Sequence, residues 1–382
     1  MGSTDAPEIG VGIIGYGFMG KVHAYGYASI PFYYDPPPVR TRLVAVATSS
    51  AASAEAARVH GGFQEGTEDW RRLLDRPDIQ VIDVCSPNPL HAEQLAAALQ
   101  AGKHIYCDKP LTVTAEEATG VVRRAMGQWS GIGQMALHIR FYSAMQRARQ
   151  LVDEDFLGDP IGFRCTYLHA GSVDPATPLK WKLRAAAGGG VLLDLGPHAL
   201  DLVDWLVGPI EAVRAESRIL HPERPDGRGG MAPVDAEDQL LITARLAGGT
   251  LGTIEASKIA TGAEDDLRLE LHGMRGAIRF DLSQPDFLEV YSRSDPEQPL
   301  GGLRGWKRIP CLTRYPAPAG FPTAKATSGW LRGHVHSQYS FLKAVAEGST
   351  PDPSLERGVE VQLLMAAARK SLASGNWETI PY

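Results

Sequence analysis

The chain has 382 residues, with 38 basic and 44 acidic side chains for a net charge of −6, and is 44% hydrophobic and 21% charged. That length suggests two or three domains of about 100–200 residues each, and the mild acidity excludes a general attractive field for nucleic acid. The densest apolar runs, Ile9–Ile14 and Val191–Leu193, fall far below the roughly 20 residues that a membrane helix needs.

The N-terminus, Met1 to Pro7, lacks the basic region and apolar core of a secretory signal. Cys85, Cys107, Cys165 and Cys311 lie far apart with no CxxC pair. Reduced thiols in a cytoplasmic protein are therefore expected, with no disulfide framework and no metal site.

In chain order, Glu8–Ile14 reads as a short apolar strand, followed by a glycine turn and a helix over Phe18–Ser29. A strand at Leu43–Ala47, a helix at Ala51–His60 and a helical stretch at Asp69–Leu74 come next. Strands at Val81–Cys85 and His104–Cys107 bracket a helix at His91–Ala101, and Thr114–Met126 is a further helix. Thr114 and Glu117 have the spacing of a capping box. This alternation predicts a parallel sheet with right-handed crossovers, a doubly wound α/β domain. The segment Pro31–Pro38 reads as a rigid surface loop.

The second half changes character. A helix begins near Ser143 and closes over Leu151–Phe156. Strand-like runs then recur at Ile161–His169, Ala212–Ile219, Gln239–Leu246, Thr250–Ala256, Leu267–Gly273, Ala277–Leu282 and Phe287–Ser292. Several are joined by glycine turns, which points to an antiparallel sheet. Helices are expected at His198–Val207, Val335–Glu347 and Ser354–Ser374, and loops at Ser172–Gly189, His221–Val234 and Asp295–Ser328. The expected division falls near Gly133: residues 1–133 form the doubly wound domain, and 134–382 an α+β domain with a large open-faced sheet. A sheet with one uncovered face favours a homo-oligomer, a dimer or tetramer.

Gly15-Tyr-Gly17-Phe18-Met19-Gly20 is a GxGxxG motif directly after a strand and at the mouth of a helix. Gly15 permits the tight turn, Gly17 lets the backbone approach a pyrophosphate, and Gly20 lets the helix pack closely on the strand. The helix N-terminus adds N–H donors for the anion. A dinucleotide-binding Rossmann domain is the expectation. The next strand should end in an acid if a carboxylate reads the ribose of NAD. Thr48-Ser49-Ser50 stands there instead, hydroxyls that can accept a 2′-phosphate, with Arg40, Arg42 and Arg58 as the cations in question. The coenzyme is NAD or NADP, and the missing acid tips the expectation toward NADP.

Two further clusters carry chemistry. Cys107-Asp108-Lys109-Pro110 follows the strand His104–Cys107 on the edge where such a sheet binds its ligand. Lys109 there is either a solvated loop lysine or a donor to a substrate hydroxyl. Ser86-Pro-Asn88 ends the preceding strand on the same edge and can meet the nicotinamide carboxamide, whereas His91 is equally a structural residue of the next helix. The candidate coenzyme contacts are thus Gly15, Gly17, Phe18, Met19, Gly20, Thr48, Ser49, Ser86, Asn88, His91, Asp108 and Lys109. In Gly188-Gly189-Gly190-Val-Leu-Leu-Asp194-Leu-Gly196-Pro197-His198, Asp194 and His198 are four apart. Such a pair serves structure, starts a metal site for which no third ligand is in sight, or takes an alcohol proton as hydride leaves.

Taken in order, these motifs resemble the glucose–fructose oxidoreductase/inositol dehydrogenase family (Gfo/Idh/MocA) over nearly the whole chain. Gly20-Lys-Val-His23 resembles the family's opening helix. Ala101-Gly-Lys-His-Ile-Tyr-Cys-Asp-Lys-Pro110 resembles its AGKHVxxEKP signature, with Asp108 in place of the usual glutamate. Gly188–Gly208 resembles its GGGxLxDxGxHxxDxxxxLxG stretch, and His336–Gly348 its closing helix. The resemblance implies hydride transfer between a nicotinamide and a ring C–OH of a sugar, cyclitol or derivative. It places the catalytic lysine on Lys109, the aspartate on Asp194 and the general acid/base on His198. His138 stands where the family often has asparagine. With Arg140, Trp181, Lys182 and His336 it completes the expected substrate contacts, in a cleft dividing the two domains. The resemblance also permits a redox-neutral glycosidase or lyase working through transient oxidation at C3, and a non-catalytic nicotinamide sensor. The intact Lys109, Asp194 and His198 argue for the dehydrogenase.

Overall fold

The computed structural model describes residues 6–125, 127–312, 315–321 and 326–382. Met126, expected to end a helix, and parts of the expected Asp295–Ser328 loop lie outside them. The strand Glu8–Ile14 (β1) is buried from Ile9 onward, as the central strand of a parallel sheet covered on both faces must be. Beside it lie Arg40–Ala47 (β2), Glu65–Thr67 (β3), Val81–Val84 (β4), His104–Cys107 (β5) and Gly133–Met135 (β6). They form one sheet in the order β3-β2-β1-β4-β5-β6, with every pairing parallel. The strand order reverses at β1, so its C-terminal end is the switch point where such sheets bind ligands. The short strands β3 and β6 have no run of apolar residues and are not legible in the sequence.

The crossovers are Phe18–Tyr33 (α1), Ala51–Gly61 (α2), Arg71–Leu74 (α3), His91–Gln100 (α4) and Ala115–Ala125 (α5). The capping box forms as expected: Glu117 N–H donates to Thr114 Oγ1, and Thr114 N–H to Glu117 Oε2, each at 3.2 Å. The expectation of a surface loop from Pro31 is corrected. Helix α1 runs through Pro31 to Tyr33, and Tyr34 is fully buried. Its ring stacks on Tyr339 at 3.6 Å, so burial of aromatic surface outweighs the helix bond that a proline removes.

The chain divides into two compact units, Met1–Phe141 with Tyr315–Gln362, and Tyr142–Arg314 with Leu363–Tyr382. The division expected at Gly133 therefore misses a returning segment. Helix Leu331–Glu347 (α9) packs on α1 inside the first unit. Gly26 makes room for it, since a Cβ there would lie 1.6 Å from Gln338 Oε1.

In the second unit the strands are Pro160–Leu168 (β7), Ile210–Arg218 (β8), a hairpin of Glu223–Pro225 and Met231–Pro233 (β9, β10), Gln239–Leu246 (β11) and Leu251–Ser257 (β12). Asp266–Gly273 (β13), Gly276–Asp281 (β14), Phe287–Ser292 (β15), Lys307–Pro310 (β16) and Glu378–Thr379 (β17) follow. Nine of them make one sheet, β16-β15-β14-β13-β7-β12-β11-β8-β17. It is antiparallel except for the pair β7–β12. Helices Ser143–Asp153 (α6) and Gly196–Leu206 (α8) pack on it. Strand β11 alternates buried Leu240, Ile242 and Ala244 with exposed Leu241, Thr243 and Arg245, the signature of a sheet with one solvated face. The turn Val191–Asp194 (α7) precedes α8, and Leu355–Ser374 (α10) follows α9.

His23 of α1 faces Asp83 of β4 at 3.0 Å, and both side chains are fully buried. Burial alone would push the imidazole pKa down, but Asp83 more than reverses this and holds it above the ordinary 6.5. A group shifted upward contributes its full stability below about pH 6.5 and loses it as pH rises through the higher folded value. Asp83→Asn is therefore expected to lower stability by about 3 kcal/mol. Denaturant unfolding of both proteins should show the largest difference near pH 6, with a smaller one near pH 9.

Candidate active site

At the mouth of α1 the three motif glycines have different causes. Gly15 has φ +96, and a Cβ on it would lie 2.6 Å from the carbonyl oxygen of Cys85. A Cβ on Gly20 would lie 2.2 Å from the Gly15 carbonyl oxygen. Both are therefore required by the protein's own backbone packing. Gly17 is different: a Cβ there would meet nothing within 4 Å. The first turn of α1 carries no side-chain cap and no acid, so its N–H groups face an open cradle suited to an anion. Phe18 is exposed and leans on Trp330 at 5.8 Å, and Met19 is half-buried beside it. This geometry fits a pyrophosphate.

The loops after β4 and β5 are joined by His91. Its ring is buried, with Nδ1 2.9 Å from the Pro110 carbonyl oxygen and Nε2 2.8 Å from that of Ser86. Both ring nitrogens are thus engaged with backbone, and His91 holds these two loops together. Ser86 donates its hydroxyl to Gln94 Oε1 at 2.6 Å, and Asn88 is buried in the adjoining turn. Lys109 stands half-buried past the tip of β5, its N–H bonded to Asp108 Oδ1 at 2.9 Å. At the tip of β2, Thr48 Oγ1 bonds Ser53 Oγ at 2.6 Å, while Ser49 is exposed. Of the three arginines in question, two stand far along the strand and the third is engaged by an acid. Arg40 and Arg42 open β2, about 17–23 Å of strand from its tip at ~3.3 Å per residue. Arg58 is held bidentately by Glu55 at 2.6 and 2.7 Å.

In the second unit the triple glycine builds the turn that presents Asp194. Gly188 has φ +69, and a Cβ on Gly189 would lie 2.5 Å from the Lys182 carbonyl oxygen. Gly190 has φ +99, and a Cβ there would lie 2.4 Å from Glu237 Oε1. Glu237 in turn accepts the Leu192 N–H at 2.8 Å, and the Gly190 carbonyl accepts the Asp194 N–H at 3.2 Å. Burial raises the Glu237 pKa, against the opposing pull of that N–H, Arg369 and Lys258. The Asp194 carboxylate lies between two ammonium groups, Lys258 at 2.6 Å and Lys182 at 3.2 Å. Lys182 lies over the half-buried Trp181 ring at 5.7 Å. His198, buried in α8, meets the Tyr167 ring edge-on at 6.0 Å. Burial and the neighbouring Asp265 raise the Tyr167 pKa well above 10, keeping the phenol protonated.

Lys258 is the residue that the sequence did not single out. It directly follows β12, and β7 runs parallel beside it with Leu168 opposite Ser257. The C-terminal ends of both strands thus bring Lys258, Tyr167 and His169 to one edge. That pairing joins residues some ninety positions apart, and the only local sign is a lysine directly after a strand.

Three expected substrate contacts, all in the first unit, make the following contacts there. His336 is buried in an aromatic cluster with Tyr34, Tyr315, Phe141 and Tyr339, and the Tyr34 hydroxyl bonds its Nδ1. Burial, then Arg332, pushes its pKa well below 6.5, so the ring is neutral. Arg140 is buried against Asp352 at 2.8 Å. His138 is buried and stacked on His334, ring centroids 3.7 Å apart. The first unit also holds His23, Asp83 and Cys85 within metal-ligand reach of one another. Their contacts of 3.0–3.1 Å are those of hydrogen bonds among the three. All four cysteines are thiols, and burial pushes Cys165 up to about 12.

Comparison with known proteins gives concordant results. A family model described as "Oxidoreductase family, NAD-binding Rossmann fold" matches residues 9–128, and one described as "GFO/IDH/MocA C-terminal domain" matches 145–279. The chain is 35% identical to levoglucosan dehydrogenase of Pseudarthrobacter phenanthrenivorans, covering 98% of each. It is 26% identical to myo-inositol 2-dehydrogenase of Thermotoga maritima, covering 95% of this chain and 96% of that one. A solved structure of levoglucosan dehydrogenase in complex with NADH and levoglucosan superposes with TM-score 0.93 at 34% identity, covering 98% and 100%.

The triple-glycine turn gives a direct check on how Asp194 is held. Gly190→Ala both forces a side chain into φ +99 and collides with Glu237, and should destabilise by more than about 2 kcal/mol. Thermal unfolding of Gly190→Ala with Glu237→Ala should show part of the loss recovered, because the collision is relieved and the strained φ remains.

Proposed function

Because the chain belongs to the Gfo/Idh/MocA oxidoreductase family, we propose that it is an NAD-dependent dehydrogenase acting on a ring C–OH of a sugar or cyclitol. One observation carries the reading: Asp194, four residues ahead of His198, is fixed between Lys258 and Lys182. A carboxylate so held keeps a defined direction toward a substrate hydroxyl, which a mobile one cannot. The bound nicotinamide supplies the acceptor or donor for hydride. Gly17 and the first turn of α1 would hold its pyrophosphate through backbone N–H groups, while Gly15, whose own N–H is taken by the Ala47 carbonyl at 2.8 Å, shapes the turn. Lys109 donates to the reacting oxygen and stabilises the negative charge that develops on it. His198 takes the hydroxyl proton during oxidation and returns it during reduction. Asp194 accepts from the substrate and orients it, and the face of Trp181 suits the apolar side of a sugar ring.

The second unit's sheet supports association with a second copy of the chain. Ile161 and Leu251 are 59% and 51% exposed on neighbouring strands β7 and β12, and Leu241 is 47% exposed further along β11, apolar surface that a second copy would cover.

Two measurements test these statements. NADH formation should be assayed against levoglucosan, myo-inositol and a wider sugar panel. Lys109→Ala and His198→Ala are each expected to lower kcat/KM by about 10²–10⁴-fold. Full activity in both variants, or turnover of a glycoside without net NADH, would overturn the mechanism. Sedimentation equilibrium should show a dimer or tetramer that Leu241→Asp with Leu251→Asp shifts toward monomer.

A further inference from the structure

The tip of β2 carries no acid, yet an acid reaches the same place from the neighbouring strand. Strands β2 and β3 pair with Ala47 opposite Thr67, and the Thr48 N–H donates to the Thr67 carbonyl at 3.0 Å. Glu68 comes next, and its Oε2 accepts the N–H of Ala51, the first residue of α2, at 3.0 Å. In this fold the turn from the second strand into its helix lies beside the ribose 2′ position. The N-terminal end of α2 would by itself favour the two negative charges of a 2′-phosphate. Here that end already has a carboxylate.

The neighbouring groups do not compensate. Ser50 Oγ accepts the Ser53 N–H at 3.2 Å, and the hydroxyls of Thr48 and Ser50 both contact Ser53 Oγ, at 2.6 and 2.8 Å. They are engaged in capping the helix. Arg40 and Arg42 stand at the far end of β2. Arg42 bonds Glu8 and Gln64, and Arg58 is held by Glu55.

We propose that Glu68 selects the coenzyme: from the loop after β3 it supplies the carboxylate that the tip of β2 lacks. It accepts a hydrogen bond from a ribose 2′-hydroxyl and repels a 2′-phosphate, so the chain takes NAD over NADP. The expectation from Thr48 is thereby reversed, since the missing acid is present one strand away. The inference rests on the dehydrogenase reading only in needing a dinucleotide bound by the first unit.

Fluorescence titration of the full chain with NADH and with NADPH tests it without any sugar. The wild type should bind NADH at least about tenfold more tightly. Glu68→Gln keeps an oxygen for the Ala51 N–H and removes the charge. It should narrow the ratio by about tenfold, chiefly through tighter NADPH binding, with an unchanged unfolding midpoint. Added salt should weaken the discrimination of the wild type and leave that of the variant alone, because the charge is exposed. Equal binding of both coenzymes by the wild type, or an unchanged ratio in Glu68→Gln, would overturn the proposal. Binding of neither would remove the dinucleotide reading and this inference together. Selective NADH binding without oxidation of any sugar or cyclitol would overturn only the substrate reading.

Discussion

Between helix α1 and strand β4, His23 and Asp83 meet at 3.0 Å with neither side chain exposed to solvent. Polar groups removed from water hold their positions only while they are hydrogen-bonded, so the pair fastens the helix to the sheet at one register. The same helix opens with the glycine turn, and a Cβ on Gly15 or Gly20 would lie within 2.6 Å of backbone atoms. Helix and strand must therefore approach to backbone contact for the turn to form. The only motif glycine left without a protein neighbour, Gly17, then marks the space for a ligand. The His91 ring adds the second constraint by bridging the loops after β4 and β5.

In the second unit a comparable economy of backbone positions Asp194. Glu237 occupies the space that a side chain on Gly190 would need, and it binds the N–H of Leu192 at the start of the turn. The glycines are required by this buried carboxylate as much as by the turn itself. Two lysines from different segments then converge on Asp194, one from the loop before the turn and one from the end of β12. With two ammonium groups gathered around Asp194 beside the Glu237 carboxylate, the overall charge of −6 says little about the site. Local fields are set by the nearest few groups.

Motif spacing and hydrophobic pattern were enough to read the doubly wound sheet, the positions of its main strands along the chain, the mainly antiparallel second sheet and the capping box at Thr114. The same holds for the glycine turn, because strand, turn and helix lie within about a dozen consecutive residues. Strands β3 and β6, three residues each, gave no pattern to read. The histidines show the limit most plainly. His198, His138, His91 and His336 are all buried, and nothing local distinguishes a ring beside a candidate site from one packed among aromatic side chains or clamping two loops.

What the sequence determined by itself was the chemistry written at short range: the Gly15–Gly20 turn, Lys109 after its strand, and Asp194 with His198 four residues later. Their residue types and spacing follow from local backbone geometry, which neighbouring residues fix. Tertiary structure alone decided which charges meet. It brought Lys258 to Asp194 through the parallel pairing of β7 with β12, and Glu68 to the start of α2 through the pairing of β2 with β3. It also carried α9 back onto α1. Such contacts depend on strand order and chain return, which are settled by burial of apolar surface over the whole unit rather than by any segment of it.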